Sequence, residues 1–236
     1  SIIIEDANGC FIYSPLYNIT EPLTILSASL FSPILSCFGD TTSIIVSVNG
    51  GTPNYSFLWD NGVTTQNLNG ISEGSFSLTI LDENNCELSE DIIIVEPAKI
   101  EVTNIIANLS CFEDLSGNIE LTVNGGVQPY NYNWSNGGIG SFINNLSANT
   151  YQVIITDNNN CEYVENFLVS EPSSLEVYFQ VENVNCFGNS NGEIDITVLG
   201  GTPQYSFEWS NFTNNEDLIN VSAGNYNLIV SDNNFC

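Results

Sequence analysis

Cysteine is the chemically reactive residue that this sequence places most regularly. Two sets of three cysteines recur at an interval of about 75 residues, with Cys10 as a seventh: Cys37, Cys111 and Cys186 form the first set, and Cys86, Cys161 and Cys236 the second. Because the chain contains no histidine, this spacing favours disulfide bonds over zinc sites. Disulfides persist in oxidising compartments, so we expect an extracellular protein.

Carboxylates in two kinds of turn could bind calcium, which prefers oxygen ligands. One aspartate opens an Asp- and Asn-rich turn before each cysteine of the second set, and further acids follow cysteines of the first set; the candidates are Asp82, Asp157, Asp232, Asp40, Glu113 and Asp114. The competing interpretation is a turn in which the side chain bonds its own backbone. No run has the full spacing of a calcium loop, so calcium is a hypothesis and no other cofactor is expected.

The composition leaves little material for catalysis. The chain has no histidine, no arginine and one lysine, Lys99, which excludes serine–histidine, cysteine–histidine and phosphoryl-transfer sites. Its 28 acidic residues give a formal net charge of −27, which would repel nucleic acid and anionic lipid. No apolar run is long enough for a membrane span. We predict a chain that is not an enzyme, has no catalytic residue and does not insert into a membrane.

Two pairing schemes fit the cysteine spacing. Pairing within each repeat gives Cys37–Cys86, Cys111–Cys161 and Cys186–Cys236, whereas pairing across the boundary between repeats gives Cys10–Cys37, Cys86–Cys111 and Cys161–Cys186. The closed loops differ in entropy by only about 0.5 kcal/mol, so energy does not decide. In a β-sandwich the two cysteines of one repeat would lie at opposite poles, which weighs against the first scheme. Both schemes stay open.

A ten-residue block that occurs three times must position these residues. The block begins with two glycines and ends in tryptophan, and it spans residues 50–59, 125–134 and 200–209. A fixed interval of about 75 residues between copies indicates a tandem array. The glycines suit a turn with positive φ angles, whereas the aromatic residues predict an inward-facing strand. We expect six of them in the core: Trp59, Trp134, Trp209, Tyr55, Tyr130 and Tyr205.

Apolar and polar residues alternate along most of each repeat, which predicts half-buried β-strands. Ile119, Leu121 and Val123 alternate with polar residues in this way, and so do Tyr151 and Val153. Six or seven such strands with frequent turns and no amphipathic helix are typical of a β-sandwich. We therefore predict an all-β protein of tandem immunoglobulin-like β-sandwich repeats, each of about 75 residues, that form an extended rod.

Glu-Pro pairs mark the predicted boundaries between repeats. They occur at 21–22, 96–97 and 171–172, where proline would end a strand because it lacks a backbone N–H. We therefore expect residues 1–22 to be the C-terminal part of a preceding repeat. The first repeat is 23–97, the second is 98–172, and the third is 173–236 without its last strand.

These repeats resemble a known family, the SprB-type repeats of very large cell-surface adhesins of Bacteroidetes. In the third repeat the matching elements are Cys186–Ile194, Gly200–Tyr205, Trp209–Asn211, Ala223–Tyr226 and Ser231–Cys236. The second repeat departs from the pattern with Val127-Gln128 in place of Thr-Pro. The resemblance covers essentially the whole chain and implies an extracellular rod of stacked modules. It also implies type IX secretion and, more weakly, gliding motility.

The function favoured by these observations is structural. We predict a spacer segment of a long extracellular adhesin or surface filament on the cell surface, with neighbouring repeats of the same chain as its partners. One alternative is a glycan- or ligand-binding array that uses loops at one pole. Another is a self-associating fibre subunit that binds other copies of the filament.

Overall fold

The computed structural model describes residues 2–16 and 18–236. Ser1 and Tyr17, which fall in the predicted partial repeat 1–22, lie outside the described residues. The described chain forms β-strands β1 to β19 and contains no helix, hence none long and apolar enough to cross a membrane. It divides into two compact units, Ser1–Pro97 and Ala98–Cys236. The prediction of an all-β protein is confirmed.

The first unit contains a hairpin and one sandwich. The hairpin pairs β1 (Ile3–Glu5) with β2 (Phe11–Tyr13). The strands of the first repeat are β3 (Ser27–Phe31), β4 (Thr42–Asn49), β5 (Ser56–Trp59), β6 (Leu68–Ile71), β7 (Gly74–Leu81) and β8 (Glu87–Ile94). They form two antiparallel sheets with the strand orders β3-β4-β6 and β5-β7-β8.

The second unit repeats this topology. In the second repeat the strands are β9 (Glu101–Ala107), β10 (Gly117–Asn124), β11 (Asn131–Trp134), β12 (Phe142–Leu146), β13 (Asn149–Thr156) and β14 (Glu162–Val169). In the third they are β15 (Glu176–Glu182), β16 (Gly192–Leu199), β17 (Ser206–Trp209), β18 (Leu218–Val221) and β19 (Leu228–Ser231). The sheets are β9-β10-β12, β11-β13-β14, β15-β16-β18 and β17-β19, so the third repeat contains no counterpart of β14.

Side chains from both sheets of each repeat meet in one apolar cluster. In the second repeat Ile119 of β10 packs with Trp134 of β11 and Val153 of β13, and equivalent clusters surround Trp59 and Trp209. Along β10 the buried Ile119 and Leu121 alternate with the exposed Glu120 and Thr122, as the pleat of a half-buried strand requires. Each repeat is therefore an immunoglobulin-like β-sandwich, as predicted.

The three tryptophans lie at the centres of these clusters. Trp59, Trp134 and Trp209 are 1%, 2% and 3% exposed, respectively. Each indole N–H donates to a carbonyl oxygen of the loop after its strand, at 2.9 Å for Thr65 and 3.0 Å for Gly140 and Asn215. Burying one indole contributes about 4–6 kcal/mol as an upper bound, before chain entropy is subtracted. The aromatic strands therefore stabilise the sandwich.

Candidate functional site

The two glycines of each ten-residue block form a turn against the first residues of the same repeat. In the third repeat Gly200 and Gly201 have φ angles of 78° and 58°. The Gly201 N–H donates to the Ser173 carbonyl at 2.9 Å, and the Tyr205 hydroxyl donates to the Gly200 carbonyl at 2.6 Å. A Cβ atom on Gly200 would overlap the carbonyl oxygen of Ser174, so the close approach requires glycine. The glycine turn thus lies at the N-terminal pole of its repeat.

A buried aspartate joins this glycine turn to the turn that carries the last cysteine of the repeat. Asp232 is 3% exposed, and its Oδ2 accepts a hydrogen bond from the Thr202 N–H at 2.8 Å. Its Oδ1 accepts from the N–H groups of Asn234 at 2.9 Å and Cys236 at 3.0 Å. These bonds, led by that from Thr202, favour the ionised carboxylate and lower the pKa of Asp232, although burial opposes the shift.

The same arrangement recurs in the other repeats. Asp82 accepts from three backbone N–H groups at 2.9 Å, and Asp157 does so at 2.8–2.9 Å. For Asp157 burial raises the pKa most, but the bonds from the N–H groups of Cys161, Val127 and Asn159 outweigh it and leave the pKa lowered. We call residues 82–86, 157–161 and 232–236 the end turns. Each lies at the N-terminal pole of its repeat.

The first cysteine of each repeat lies in a loop at the opposite pole. In the second repeat the Cys111 N–H donates to Asp114 Oδ2 at 3.0 Å, and the Glu113 N–H donates to Glu171 Oε2 at 2.8 Å, just before the proline that ends the repeat. Bonds from the Ser116 N–H and hydroxyl to Asp114 lower the pKa of this carboxyl against the effect of burial. We call residues 37–40, 111–114 and 186–189 the start loops.

The first repeat holds its start loop in the same way. The Cys37 N–H donates to Asp40 Oδ2 at 2.8 Å, and the Gly39 N–H donates to Glu96 Oε2 at 2.8 Å. The acidic residue of the Glu-Pro boundary therefore accepts a hydrogen bond from the third residue of the start loop in both full repeats. This contact places the start loop at the C-terminal pole.

A disulfide joins the start loop of the second repeat to the end turn of the third. Cys111 and Cys236 are bonded across a sequence separation of 125 residues, with their Cα atoms 5.7 Å apart. Beside them the Asn234 amide Nδ2 donates to the Ser110 carbonyl at 2.9 Å and to Thr202 Oγ1 at 3.0 Å. A covalent bond and a hydrogen bond thus connect these two repeats at one junction.

Both predicted pairing schemes are wrong. Cys111 pairs with neither Cys161 nor Cys86, and Cys10, Cys86 and Cys186 are free and exposed, so no pair of either scheme forms. Cys37 and Cys161 are also disulfide-bonded. The physical reason is distance. An eight-residue strand such as β14 separates the two poles of a repeat by roughly 27 Å. Within the second unit, the start loop of the second repeat lies against the end turn of the third repeat instead.

The acidic candidates for calcium fall into these two turns. Asp82, Asp157 and Asp232 use both carboxylate oxygens to accept backbone N–H groups, while Asp40 and Asp114 accept the N–H of a cysteine. Among residues 2–16 and 18–236, no three cysteine or acidic side chains come together in a way that could hold a metal ion. Calcium binding therefore stays a prediction.

Two residues of the junction escaped the sequence analysis. Glu171 was expected only to precede a strand-ending proline, but it also holds the start loop. Asn234 was expected only to form a turn, but its side chain reaches Ser110 of the preceding repeat. The recurrence of Glu at the boundaries and of Asn two residues after the buried aspartate was the available signal.

Comparison with known proteins supports the resemblance stated above. The family model of the SprB repeat matches residues 35–64, 103–138 and 179–214, and each match contains a start loop, a glycine turn and the buried tryptophan. No curated protein matches the chain.

The solved structures that match the chain are distant from it in sequence. A complex of Dpr2 Ig1-Ig2 with DIP-Theta Ig1-Ig3 is 11% identical, with 89% of this chain and 96% of that chain covered and a TM-score of 0.32. The eight N-terminal Ig domains of Down Syndrome Cell Adhesion Molecule are 11% identical, with coverages of 88% and 32% and a TM-score of 0.42. Domains 4–9 of the surface layer protein SbsC are 11% identical, with coverages of 91% and 44% and a TM-score of 0.28.

Proposed function

Because the SprB repeat pattern recurs in all three repeats, we propose that this chain is a structural spacer segment of a cell-surface adhesin. The observation that carries the proposal is the Cys111–Cys236 disulfide, which joins neighbouring repeats instead of closing one repeat. A covalent bond between repeats resists their separation under tension. That property suits a segment that transmits force along a surface protein.

Two further observations support an extracellular segment of the adhesin type. Disulfides persist outside the reducing cytosol, which agrees with the bonded state of Cys111 and Cys236. The 28 acidic residues against one lysine would make copies of the chain repel one another, which favours a soluble segment. Surface attachment, type IX secretion and gliding motility stay predictions from the resemblance.

We also propose that this segment is not an enzyme. Its basis is the residue inventory, since a chain without histidine or arginine lacks the usual general base and the usual anion-binding group. The buried carboxylates of the end turns accept backbone hydrogen bonds that hold turns together. Such carboxylates serve the fold.

The disulfide has a mechanical consequence that can be measured. Cys111 and Cys236 are 125 residues apart in sequence. A pulling force applied to the ends of the chain is transmitted through the disulfide and bypasses the residues between these two cysteines. At about 3.4 Å per extended residue, roughly 420 Å of contour length cannot be extended while the disulfide is intact. The spacer therefore cannot lengthen by that amount even when its sandwiches unfold.

Single-molecule force spectroscopy on the 236-residue chain tests this role. With the chain tethered at both ends, we expect reduction by a thiol to add at least roughly 420 Å to the contour length after unfolding. The control is a variant with serine at Cys111 and Cys236 and also at Cys37 and Cys161, which are disulfide-bonded as well, and it should give the additional length without reductant. An oxidised chain that extends as far as the reduced one would contradict the proposal. Binding of the chain to a glycan array would favour the ligand-binding alternative.

A further inference from the structure

Cys86 and Cys186 occupy the same two positions as the bonded cysteines but are free and exposed. Cys86 lies in the end turn of the first repeat and is equivalent to Cys236, 150 residues later. Cys186 lies in the start loop of the third repeat and is equivalent to Cys111, one interval earlier. Each is therefore one half of a junction such as the one that Cys111 and Cys236 form.

The end turn around Cys86 is built like the end turn that forms the junction. Asp82 Oδ1 accepts the N–H groups of Asn84 and Cys86, both at 2.9 Å, as Asp232 does for Asn234 and Cys236. The Asn84 amide donates to Thr52 Oγ1 at 2.7 Å, and the equivalent bond from Asn234 to Thr202 measures 3.0 Å. An amide carries two N–H donors, so Asn84 can make the second bond that Asn234 makes across the junction.

The start loop around Cys186 is also closed in the manner of its bonded counterpart. The Asn189 N–H donates to the Cys186 carbonyl at 3.1 Å, and the matching bond from Asp114 to Cys111 measures 3.4 Å. The Asn185 N–H donates to Asn191 Oδ1 at 3.2 Å, where Ser110 donates to Ser116 Oγ at 2.8 Å. The loop therefore presents Cys186 in the conformation that leads to a disulfide in the preceding repeat.

We propose that Cys86 and Cys186 are junction cysteines that form disulfides with neighbouring SprB-type repeats. Cys186 forms a disulfide with the end-turn cysteine of the repeat that follows, and Cys86 forms a disulfide with the start-loop cysteine of the repeat that precedes. The start loop of one repeat and the end turn of the next are thus the two halves of a continuous disulfide ladder. This goes beyond the spacer role, because the ladder would form equally in an array that binds a ligand.

The bond needs an oxidant. Two thiols become one disulfide with the loss of two protons and two electrons, which a small disulfide such as oxidised glutathione accepts as it becomes two thiols. The thiolate is the attacking form, and the nearby Asp82 carboxylate raises the pKa of the Cys86 thiol.

A lengthened chain tests the Cys186 half of the ladder. A second copy of residues 162–236 is added after Cys236, with Phe235→Tyr in the added copy as a mass label and Cys186→Ser in the added copy, so that only the original Cys186 can be alkylated at that position. The addition supplies a counterpart of β14, for which the third repeat has an open groove of about 690 Å³ lined by Val177, Phe179 and Trp209 among others. It also supplies a Glu-Pro boundary and one further repeat with its end turn.

The measurement is alkylation of free thiols followed by peptide mapping after oxidation in a glutathione buffer. We expect alkylation of Cys186 to be complete in the 236-residue chain and lost in the lengthened chain, with Cys186 linked to the last added cysteine. The Cys111–Cys236 bond in the same molecule is the internal control for folding. If that bond forms while Cys186 stays alkylated, or links to another molecule, the proposal is wrong.

A second variant tests the Cys86 half and does not depend on the first. Residues 98–151 are added before Ser1, which completes the partial repeat and supplies a start loop. We expect alkylation of Cys86 to be lost and Cys86 to be linked to the added start-loop cysteine. A Cys→Ser change at that added cysteine is the matched control and should restore alkylation. Persistent alkylation of Cys86 in a chain whose other disulfides form would overturn the ladder.

Discussion

Replacing Asp157 by asparagine tests whether the buried carboxylate holds the pole of a repeat together. Asp157 Oδ2 accepts the Val127 N–H at 2.9 Å, and Oδ1 accepts the N–H groups of Asn159 at 2.8 Å and Cys161 at 2.9 Å. The asparagine oxygen can still accept the latter two. Its NH₂ group would face the Val127 N–H, so that two donors meet.

The expected cost follows from these three bonds. A hydrogen bond to a charged group contributes about 1.5–3 kcal/mol, and its loss leaves the Val127 N–H without a partner. The other two bonds weaken because a charged acceptor is roughly twice as strong as a neutral one. Asp157 is 2% exposed, but screening by solvent at the rim of the turn reduces the total. We expect Asp157→Asn to lower the unfolding free energy of the second repeat by about 2–3 kcal/mol.

Hydrogen exchange followed by mass spectrometry resolves the repeats and is the assay of choice. Protection should fall in β11 and β13, while β4 of the first repeat serves as an internal reference. The matched control is Glu162→Gln, which removes one negative charge at an exposed side chain beside the same turn. If the two variants exchange alike, the carboxylate contributes through charge alone and the hydrogen-bond argument fails.

Three further predictions concern the glycine turn, the disulfide and pH. Gly125→Ala should lower the unfolding free energy by about 3 kcal/mol or more, because Gly125 has a φ of 75° and a Cβ there would overlap the Lys99 carbonyl oxygen. The control Gly137→Ala, at a φ of 82° in open space, should lower it by only about 1 kcal/mol in urea unfolding. Equal losses would show that the close approach does not matter. Cys111→Ser/Cys236→Ser should lower the unfolding free energy of the oxidised chain by up to about 5 kcal/mol, and the control Cys186→Ser should leave it unchanged; a double variant as stable as the control would contradict the bond. The pKa values of Asp82, Asp114, Asp157 and Asp232 are lowered from 3.8 on folding, so their contribution is present above that value and is lost as pH falls through the lower folded pKa values. The melting temperature should therefore stay constant between pH 7 and 5 and fall below about pH 4. A melting temperature that rises below pH 4 would mean that relief of repulsion among the exposed acids dominates.

Local sequence pattern was sufficient to predict the sandwiches. Period-two alternation placed strands such as β10 and β13, and the spacing of Trp134 from the glycines indicated an aromatic inner strand. These features depend on neighbours within a few residues, which a sequence displays directly.

The disulfide partners could not be predicted in the same way. Spacing alone does not reveal which pole of one repeat faces which pole of the next, and both schemes considered only cysteines close in sequence. The bonded pair is separated by 125 residues, farther than either scheme allowed. The role of Asp232 was hidden for a similar reason, since its partner Thr202 lies 30 residues away in sequence.

A short linker explains why the disulfide joins a start loop to the next end turn. Glu171 holds the start loop of Cys111, and the Ser173 carbonyl accepts the N–H of Gly201 in the glycine turn that is bound to the Asp232 end turn. Only Pro172 separates these two anchoring residues, so the linker brings the two cysteine-bearing turns to the same place. The Cys111–Cys236 bond then adds a second covalent connection beside the peptide linker. Two connections restrict twisting and bending more than one does, and both depend on residue types that recur with the repeat.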